Sequence, residues 1–276
     1  MHSLFRSSVP EPAATIEPIP APFPTIEGAA IAADFLGKRV AGDFYDSLRV
    51  GPERVLFGLL DLAGRREDNR VILAAAQETF RNAAAELFSP PDMNESEAMT
   101  ELSRRINRSL IETSPGVHPC PAFIACYHEK VGTLCYTNAG HTPALLRDQS
   151  GVAELGSTGL PLGLFSHVTA EAPTIGMGNS AALLLVSRGV IECEGRSGHS
   201  TEEFGLERLK QLFQTAPVGG AEALCAFILS SVGAFSGESI QCDDRTALAL
   251  VHNGLILPPA NSAACQGLKE RASTKE

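Results

Sequence analysis

The sequence predicts an α+β fold in which helices pack outside two layers of antiparallel sheet. Apolar runs of strand length recur before, between and after two pairs of amphipathic helical segments. The short runs between the helix pairs are separated by turn residues, at the spacing of antiparallel hairpins. With 276 residues and 44% hydrophobic content, the chain is large enough to bury such a core as one domain with tails.

Each element follows from a local pattern. The first helix carries apolar residues at helical spacing and ends before Ser89, Pro90 and Pro91, because prolines cannot continue a helix. Its apolar positions are Val71, Ile72, Ala75, Phe80, Ala84 and Leu87. The predicted elements are, in chain order, a strand over 55–60, helices over 69–87 and 95–111, strands over 123–127, 133–137, 144–147 and 181–186, helices over 202–213 and 221–232, and a strand over 246–251.

The domain boundaries follow from composition. Repeated prolines over 1–24 deny regular structure and predict an extended lead-in. The folded domain is predicted over 25–253. Residues 254–276 are polar and predict a weakly structured tail.

Composition argues against several classes of partner. A formal net charge of −10, with no stripe of Lys or Arg, argues against nucleic acid or an anionic membrane as a partner. No run approaches the ~20 apolar residues that a spanning helix needs. The seven cysteines form no CxxC pair, which favours buried thiols in a reducing cytoplasm. We therefore expect a cytoplasmic protein whose partners are proteins or small ligands.

Aspartates stand at the ends of the apolar runs. Asp43 follows a short apolar step, Asp61 ends the run over 55–60, and Asp243 and Asp244 precede the last strand. Carboxylates brought together from several strands repel one another unless a cation lies between them. Taken singly, each is typical of a turn or a helix cap, but together they predict a divalent metal site.

Six short motifs, in this order, resemble the PPM-type metal-dependent protein phosphatases in their bacterial SpoIIE-like branch. They are Gly-Asp-Phe-Tyr-Asp at 42–46, the strand that ends at 61 with Ala-Gly at 63–64, Asn-Ala-Gly-His-Thr-Pro at 138–143, Gly-Leu-Pro-Leu-Gly-Leu at 159–164, Glu-Phe-Gly-Leu-Glu-Arg-Leu at 203–209 and Asp-Asp-Arg-Thr at 243–246. The resemblance implies an α-β-β-α sandwich, with two packed antiparallel sheets flanked by antiparallel helices.

The resemblance also implies a binuclear Mn²⁺ or Mg²⁺ centre. Carried over by position, Asp61 would bridge both metals, Asp43 and Asp243 would hold one each, and Leu62 would offer its backbone carbonyl. No side chain is implied as a catalytic nucleophile, because two metals activate water in that family. The implied reaction removes phosphate from a phosphoserine or phosphothreonine of a regulatory protein in bacterial signalling, such as an antagonist of an anti-sigma factor.

Two segments depart from the family pattern. Where the family has Thr-Asp-Gly, the chain has Ser187, Arg188 and Gly189, so a cation replaces a metal-binding carboxylate. Arg188 can swing away, Asp244 can substitute, or the metal centre can be lost. The last case predicts a pseudophosphatase that binds a partner without hydrolysis. Arg65 and Arg66 replace a glycine-rich stretch, and we interpret them as a solvated surface rather than a phosphate site.

His141 lies in the Gly turn of the third motif. A histidine in such a turn more often orders the loop by hydrogen bonding than transfers a proton. We therefore predict a structural role for His141.

Overall fold

The computed structural model describes residues 22–37, 41–114, 116–167, 170–197, 200–217, 219–237, 241 and 243–253. Apart from 22–24, the predicted lead-in over 1–24 lies outside these residues, as does the predicted tail over 254–276. The domain boundaries therefore stay predictions.

The described residues form strands and helices in the alternation that the sequence predicts. The strands are β1 (Ala29–Leu36), β2 (Gly42–Arg49), β3 (Arg54–Leu62), β4 (Ala122–His128), β5 (Thr133–Ala139), β6 (Ala144–Asp148), β7 (Gly151–Leu155), β8 (Thr174–Gly176), β9 (Ala182–Val186), β10 (Glu194–Ser197), β11 (Ser200–Glu203) and β12 (Arg245–His252). The helices are α1 (Arg66–Leu87), α2 (Glu95–Thr113), α3 (Arg188–Ile191), α4 (Leu206–Thr215) and α5 (Ala221–Ser236).

Two five-stranded antiparallel sheets pack face to face. One has the order β1-β12-β9-β6-β7 and the other the order β2-β3-β4-β5-β8. Helices α1 and α2 cover the outer face of the second sheet, and α4 and α5 cover that of the first. The predicted α-β-β-α sandwich is therefore confirmed.

Strand β3 shows why its sequence is a continuous apolar run. Leu56 and Leu60 lie in the cluster that contacts α1 and α2. Val55, Phe57 and Leu59 alternate with them and lie in the cluster between the sheets. Because successive side chains of a strand point to opposite faces, a strand covered on both sides must be apolar at every position.

Helix α2 begins where its capping chemistry predicts. The side chain of Asn94 accepts hydrogen bonds from the backbone N–H groups of Ser96 (3.0 Å) and Glu97 (3.2 Å). These bonds satisfy two of the donors that a helix start leaves without partners.

The predicted helix over 202–213 is wrong at its start, because α4 begins at Leu206. Glu202 and Glu203 instead pair with β10 in a separate hairpin. Gly205 precedes the helix with a φ of 76°, a conformation that glycine tolerates best. The cross-strand pairing therefore overrides the local helical pattern up to Glu203.

Strands β1 and β2, the short strands β7, β8, β10 and β11, and the short helix α3 were not predicted. The sequence of β1 is rich in alanine, which is depleted in strands. It is a strand because it pairs with β12 along its whole length, from Ala29 to Leu36. That partner lies more than 200 residues away in the sequence, so no local pattern predicts the pairing.

Two adjacent residues of α1 differ sharply in burial. Ile72 is 3% exposed and packs in the core, whereas Val71, also one of the apolar positions of the helix, is 53% exposed and lies off the buried face. We expect Ile72→Ala to lower the free energy of unfolding by about 2–5 kcal/mol, because it leaves a cavity. Val71→Ala, the matched control, should change it by less than about 0.5 kcal/mol. Urea denaturation measures both, and similar losses would contradict this packing.

Candidate metal centre

Two of the predicted carboxylates meet on neighbouring strands. Asp43 on β2 lies directly opposite Asp61 on β3 in the antiparallel register. Directly opposite residues project from the same face, with Cβ atoms about 5 Å apart. Both side chains are buried, at 0% and 4% exposure. The two carboxylates therefore share one face at the end of their sheet.

A glycine is required beside this pair. A Cβ built on Gly42 would lie 2.0 Å from the carbonyl oxygen of Leu62. No other residue type fits there without moving one of the two strands. The close approach explains the Gly-Asp step and places the Leu62 carbonyl one residue beyond Asp61.

The other sheet brings the end of β9 against the start of β12. The hydroxyl of Ser187 donates to the backbone carbonyl of Asp244 (3.0 Å) and accepts from the N–H of Thr246 (3.0 Å). A Cβ on Gly189 would lie 2.2 Å from the Asp244 carbonyl oxygen, so this contact also needs glycine. The segment 187–189 is thus locked onto the segment 243–246.

Asp244 joins the two sheets. Its Oδ1 accepts from the backbone N–H of Ala41 (3.0 Å), and its Oδ2 accepts from the backbone N–H of Asp43 (3.2 Å). The Thr246 hydroxyl adds a 2.5 Å hydrogen bond to Asp43 Oδ2. Both carboxylate oxygens of Asp244 are therefore engaged by main chain, which favours a structural role over substitution for the missing ligand.

Arg188 lies in the site and has not swung away. Its guanidinium contacts Asp243 Oδ2 at 3.0 Å, and its backbone N–H donates to Asp61 Oδ2 at 3.3 Å. The side chains of Arg188 and Asp243 are 48% and 24% exposed, so the pair lies at the mouth of the site. Asp243, a predicted metal ligand, is thus paired with the guanidinium of Arg188.

Burial and mutual repulsion disfavour ionisation of the inner carboxylates. Burial raises the pKa of Asp61 to about 6, the charge of Asp243 adds to this, and Arg188 opposes it. Burial also raises the pKa of Asp43 well above its usual value, and the charge of Asp61 adds to that shift. A divalent cation beside both groups would relieve the repulsion.

The residues fit one divalent cation better than two. Asp43, Asp61 and the Leu62 carbonyl supply the oxygen ligands that Mn²⁺ and Mg²⁺ prefer. Among the residues that the structure describes, no group of three or more His, Cys, Asp or Glu side chains is arranged to hold a metal ion. Arg188 stands where the resemblance implies a fourth acidic position, and its guanidinium engages the remaining predicted ligand, Asp243.

Other candidate residues have structural partners. Asp46 receives hydrogen bonds from Gln77 (3.0 Å) and Arg81 (2.7 Å) and so ties α1 to β2. Arg65 is largely exposed and lies 3.9 Å from Glu67, as expected for a solvated residue. The side chain of Arg66 lies outside the description.

His141 is buried in the turn after β5. Its backbone N–H donates to Asn138 Oδ1 (2.8 Å), and the hydroxyl of the next residue, Thr142, donates to the carbonyl of Val186. Burial lowers the pKa of His141 to about 4, so its imidazole is neutral at pH 7. The imidazole Nδ1 lies 3.1 Å from the carbonyl oxygen of Thr142, a local contact that agrees with the structural role predicted from sequence.

Sequence reasoning missed the hydroxyls of Ser187 and Thr246 and the bridging role of Asp244. The signal for Thr246 was its position two residues after a strand-end aspartate. Nothing local distinguishes Asp244 from Asp243.

The fold is that of a PPM-type phosphatase domain. The sequence profile of a family described as Stage II sporulation protein E (SpoIIE) matches residues 51–253, more than half of the chain. The chain therefore belongs to the SpoIIE family.

Individual relatives agree with this assignment. Phosphoserine phosphatase RsbP of Bacillus subtilis (strain 168) is 25% identical over 154 residues, which cover 55% of the chain and 37% of that relative. The chain thus matches less than two-fifths of that protein's length.

Solved structures share the fold. The SiaA-PP2C domain of Pseudomonas aeruginosa has a TM-score of 0.68 at 16% identity, over 80% of the chain and 85% of that domain. The catalytic domain of the serine/threonine phosphatase PstP, solved with 2 manganese ions, has a TM-score of 0.52 at 12% identity, over 81% of the chain and 98% of that domain.

The raised pKa of Asp61 predicts a pH-dependent stability for the metal-free protein. A carboxyl whose pKa is raised by folding stabilises the fold fully below its unfolded pKa, near 3.9, and loses that contribution as pH rises through about 6. In EDTA, we expect Asp61→Asn to match the wild type near pH 4 and to exceed its free energy of unfolding by about 1–3 kcal/mol at pH 8. Urea denaturation at both values measures this, and a constant difference would contradict it.

The bridging role of Asp244 predicts an asymmetry between two adjacent aspartates. Asp244→Asn should lower the free energy of unfolding by about 1–3 kcal/mol, because the amide nitrogen would face a buried backbone N–H. Asp243→Asn, the matched control, removes a partly exposed ion pair and should cost less than about 1 kcal/mol. Guanidinium denaturation in EDTA measures both, and equal costs would show that Asp244 is not a bridge.

Proposed function

We propose that the chain is a metal-dependent phosphatase that removes phosphate from phosphoserine or phosphothreonine of a regulatory protein in bacterial signalling. The observation that carries the proposal is the buried pair Asp43 and Asp61, facing each other where the two sheets meet. Membership of the SpoIIE family and the similarity to a phosphoserine phosphatase support it.

The chain's own residues prepare the site for this reaction. Asp43, Asp61 and the Leu62 carbonyl would hold the cation, and Thr246 orients Asp43 through its hydroxyl. When bound, Mn²⁺ or Mg²⁺ acidifies water and neutralises charge on phosphoryl oxygens. Arg188, half exposed beside the pair, adds positive potential toward an arriving phosphate.

The substrate is proposed to be a phosphorylated partner-switching regulator, such as an antagonist of an anti-sigma factor. The net charge of −10 disfavours nucleic acid as a partner. A cytoplasmic location is part of the proposal, and the buried free thiols of Cys120, Cys126 and Cys135 support it. No helix in the described part of the chain has the length and apolar character to cross a membrane.

A pseudophosphatase that only binds its partner is the second candidate, and Arg188 is the observation in its favour. The phosphatase activity named for the relative favours the enzyme. Metal dependence separates the two.

We expect Mn²⁺ to activate hydrolysis of p-nitrophenyl phosphate in a saturable manner. Asp61→Asn should lower kcat/KM by at least about 100-fold, because it removes a charged ligand beside the reacting phosphate. Asp92→Asn, at an exposed position, is the matched control and should leave the rate unchanged. Phosphate release across a Mn²⁺ titration measures all three proteins. Flat traces from folded wild-type protein would favour the binding module.

A further inference from the structure

Arg188 is positioned as a fixed cation within the carboxylate cluster. Its guanidinium lies 3.0 Å from Asp243 Oδ2, and its Nε lies 3.8 Å from Glu192, the residue that follows the short helix α3. The contact with Asp243 is the shorter of the two. Asp243 is the carboxylate that the family resemblance assigns to a second metal. The guanidinium thus engages the carboxylate that a second cation would need.

The backbone holds Arg188 in this place. Ser187 is bonded to Thr246 in both directions, with the Ser187 N–H donating to the Thr246 carbonyl (3.0 Å) and the Thr246 N–H donating to the Ser187 hydroxyl (3.0 Å). Gly189 packs against the Asp244 carbonyl, and the Arg188 N–H donates to Asp61. With the flanking residues on both sides fixed, the side chain projects over the cluster rather than from a loose loop.

Arg188 changes the formal charge of the site by two units. The four carboxylates of Asp43, Asp61, Asp243 and Asp244 together with one guanidinium carry a formal charge of −3, and an aspartate at 188 would make it −5. This difference equals the charge of one divalent cation. The guanidinium of Arg188 thus offsets as much negative charge as a second divalent ion would.

We propose that the guanidinium of Arg188 takes the place of a second cation, so that the site binds one divalent metal ion and not two. The proposal rests on the proposed metal-dependent function and specifies its metal stoichiometry. Asp243 is then a partner of Arg188 rather than a metal ligand, and Arg188 is a positioning residue that holds it.

Counting bound Mn²⁺ tests the proposal without reference to catalysis. Full-length protein is titrated with MnCl₂, and free Mn²⁺ is measured by electron paramagnetic resonance and by equilibrium dialysis. We expect one bound ion in the wild type, with no spin coupling between ions, and two in Arg188→Asp, with the spectrum of a coupled pair. Arg65→Asp, the matched control, makes the same charge change at an exposed position three residues after Leu62 and should still bind one ion.

The outcomes separate this proposal from the function on which it rests. Two coupled ions in the wild type would overturn the stoichiometry while leaving metal-dependent function intact, and this result does not require the variant to fold. One ion in a folded Arg188→Asp protein would show that Arg188 does not exclude the second metal. Absence of bound Mn²⁺ from the wild type and the variant would overturn both the metal-dependent function and the proposal.

Discussion

The site depends on the Asp244 carboxylate, which holds the start of β2 against the start of β12. Its two oxygens accept from Ala41 and Asp43, residues of the opposite sheet, and Thr246 adds a hydroxyl contact to Asp43. A buried carboxylate is costly unless hydrogen bonds satisfy it, and these bonds form only when both sheets are in register. The same interaction that joins the sandwich at this edge therefore positions Asp43.

The second constraint is electrostatic. Asp43 and Asp61 are buried face to face, and burial together with their mutual repulsion raises the pKa of Asp43. A fold that served stability alone would place apolar side chains at these positions, since buried charge is expensive without a partner. The free-energy cost of burying these two carboxylates is explained if the pair holds a cation. Arg188 relieves part of the repulsion from the rim, where Asp243 is its partner.

Helices hold the backbone on both sides of this edge. On one side, α1 is tied to β2 through Asp46, Gln77 and Arg81 just three residues beyond Asp43. On the other, the short helix α3 begins at Arg188 and packs Gly189 onto the loop before β12. Both contacts fix the backbone beside the candidate metal site. Regular elements rather than loops therefore support the geometry of the site.

Local pattern was sufficient for the order of the layers and for the strand-end positions of Asp43 and Asp61. Apolar periodicity reports which faces are buried, and β3 is apolar throughout because both of its faces are covered. Local pattern was insufficient for β1, whose alanine-rich sequence becomes a strand only by pairing with β12. It was also insufficient for Glu202 and Glu203, which fit a helical pattern but pair with β10 in a hairpin. Those outcomes depend on partners that are distant in sequence.

The sequence by itself determined that carboxylates stand at strand ends and that an arginine replaces one of the family's acidic positions. Only the tertiary structure decided that Asp243 pairs with Arg188 while Asp244 bridges the sheets. The two aspartates are adjacent and chemically identical, so no sequence pattern separates them. Their roles differ because their side chains meet different neighbours. Asp243 contacts Arg188 at the mouth of the site, whereas Asp244 accepts from the backbone N–H groups of Ala41 and Asp43.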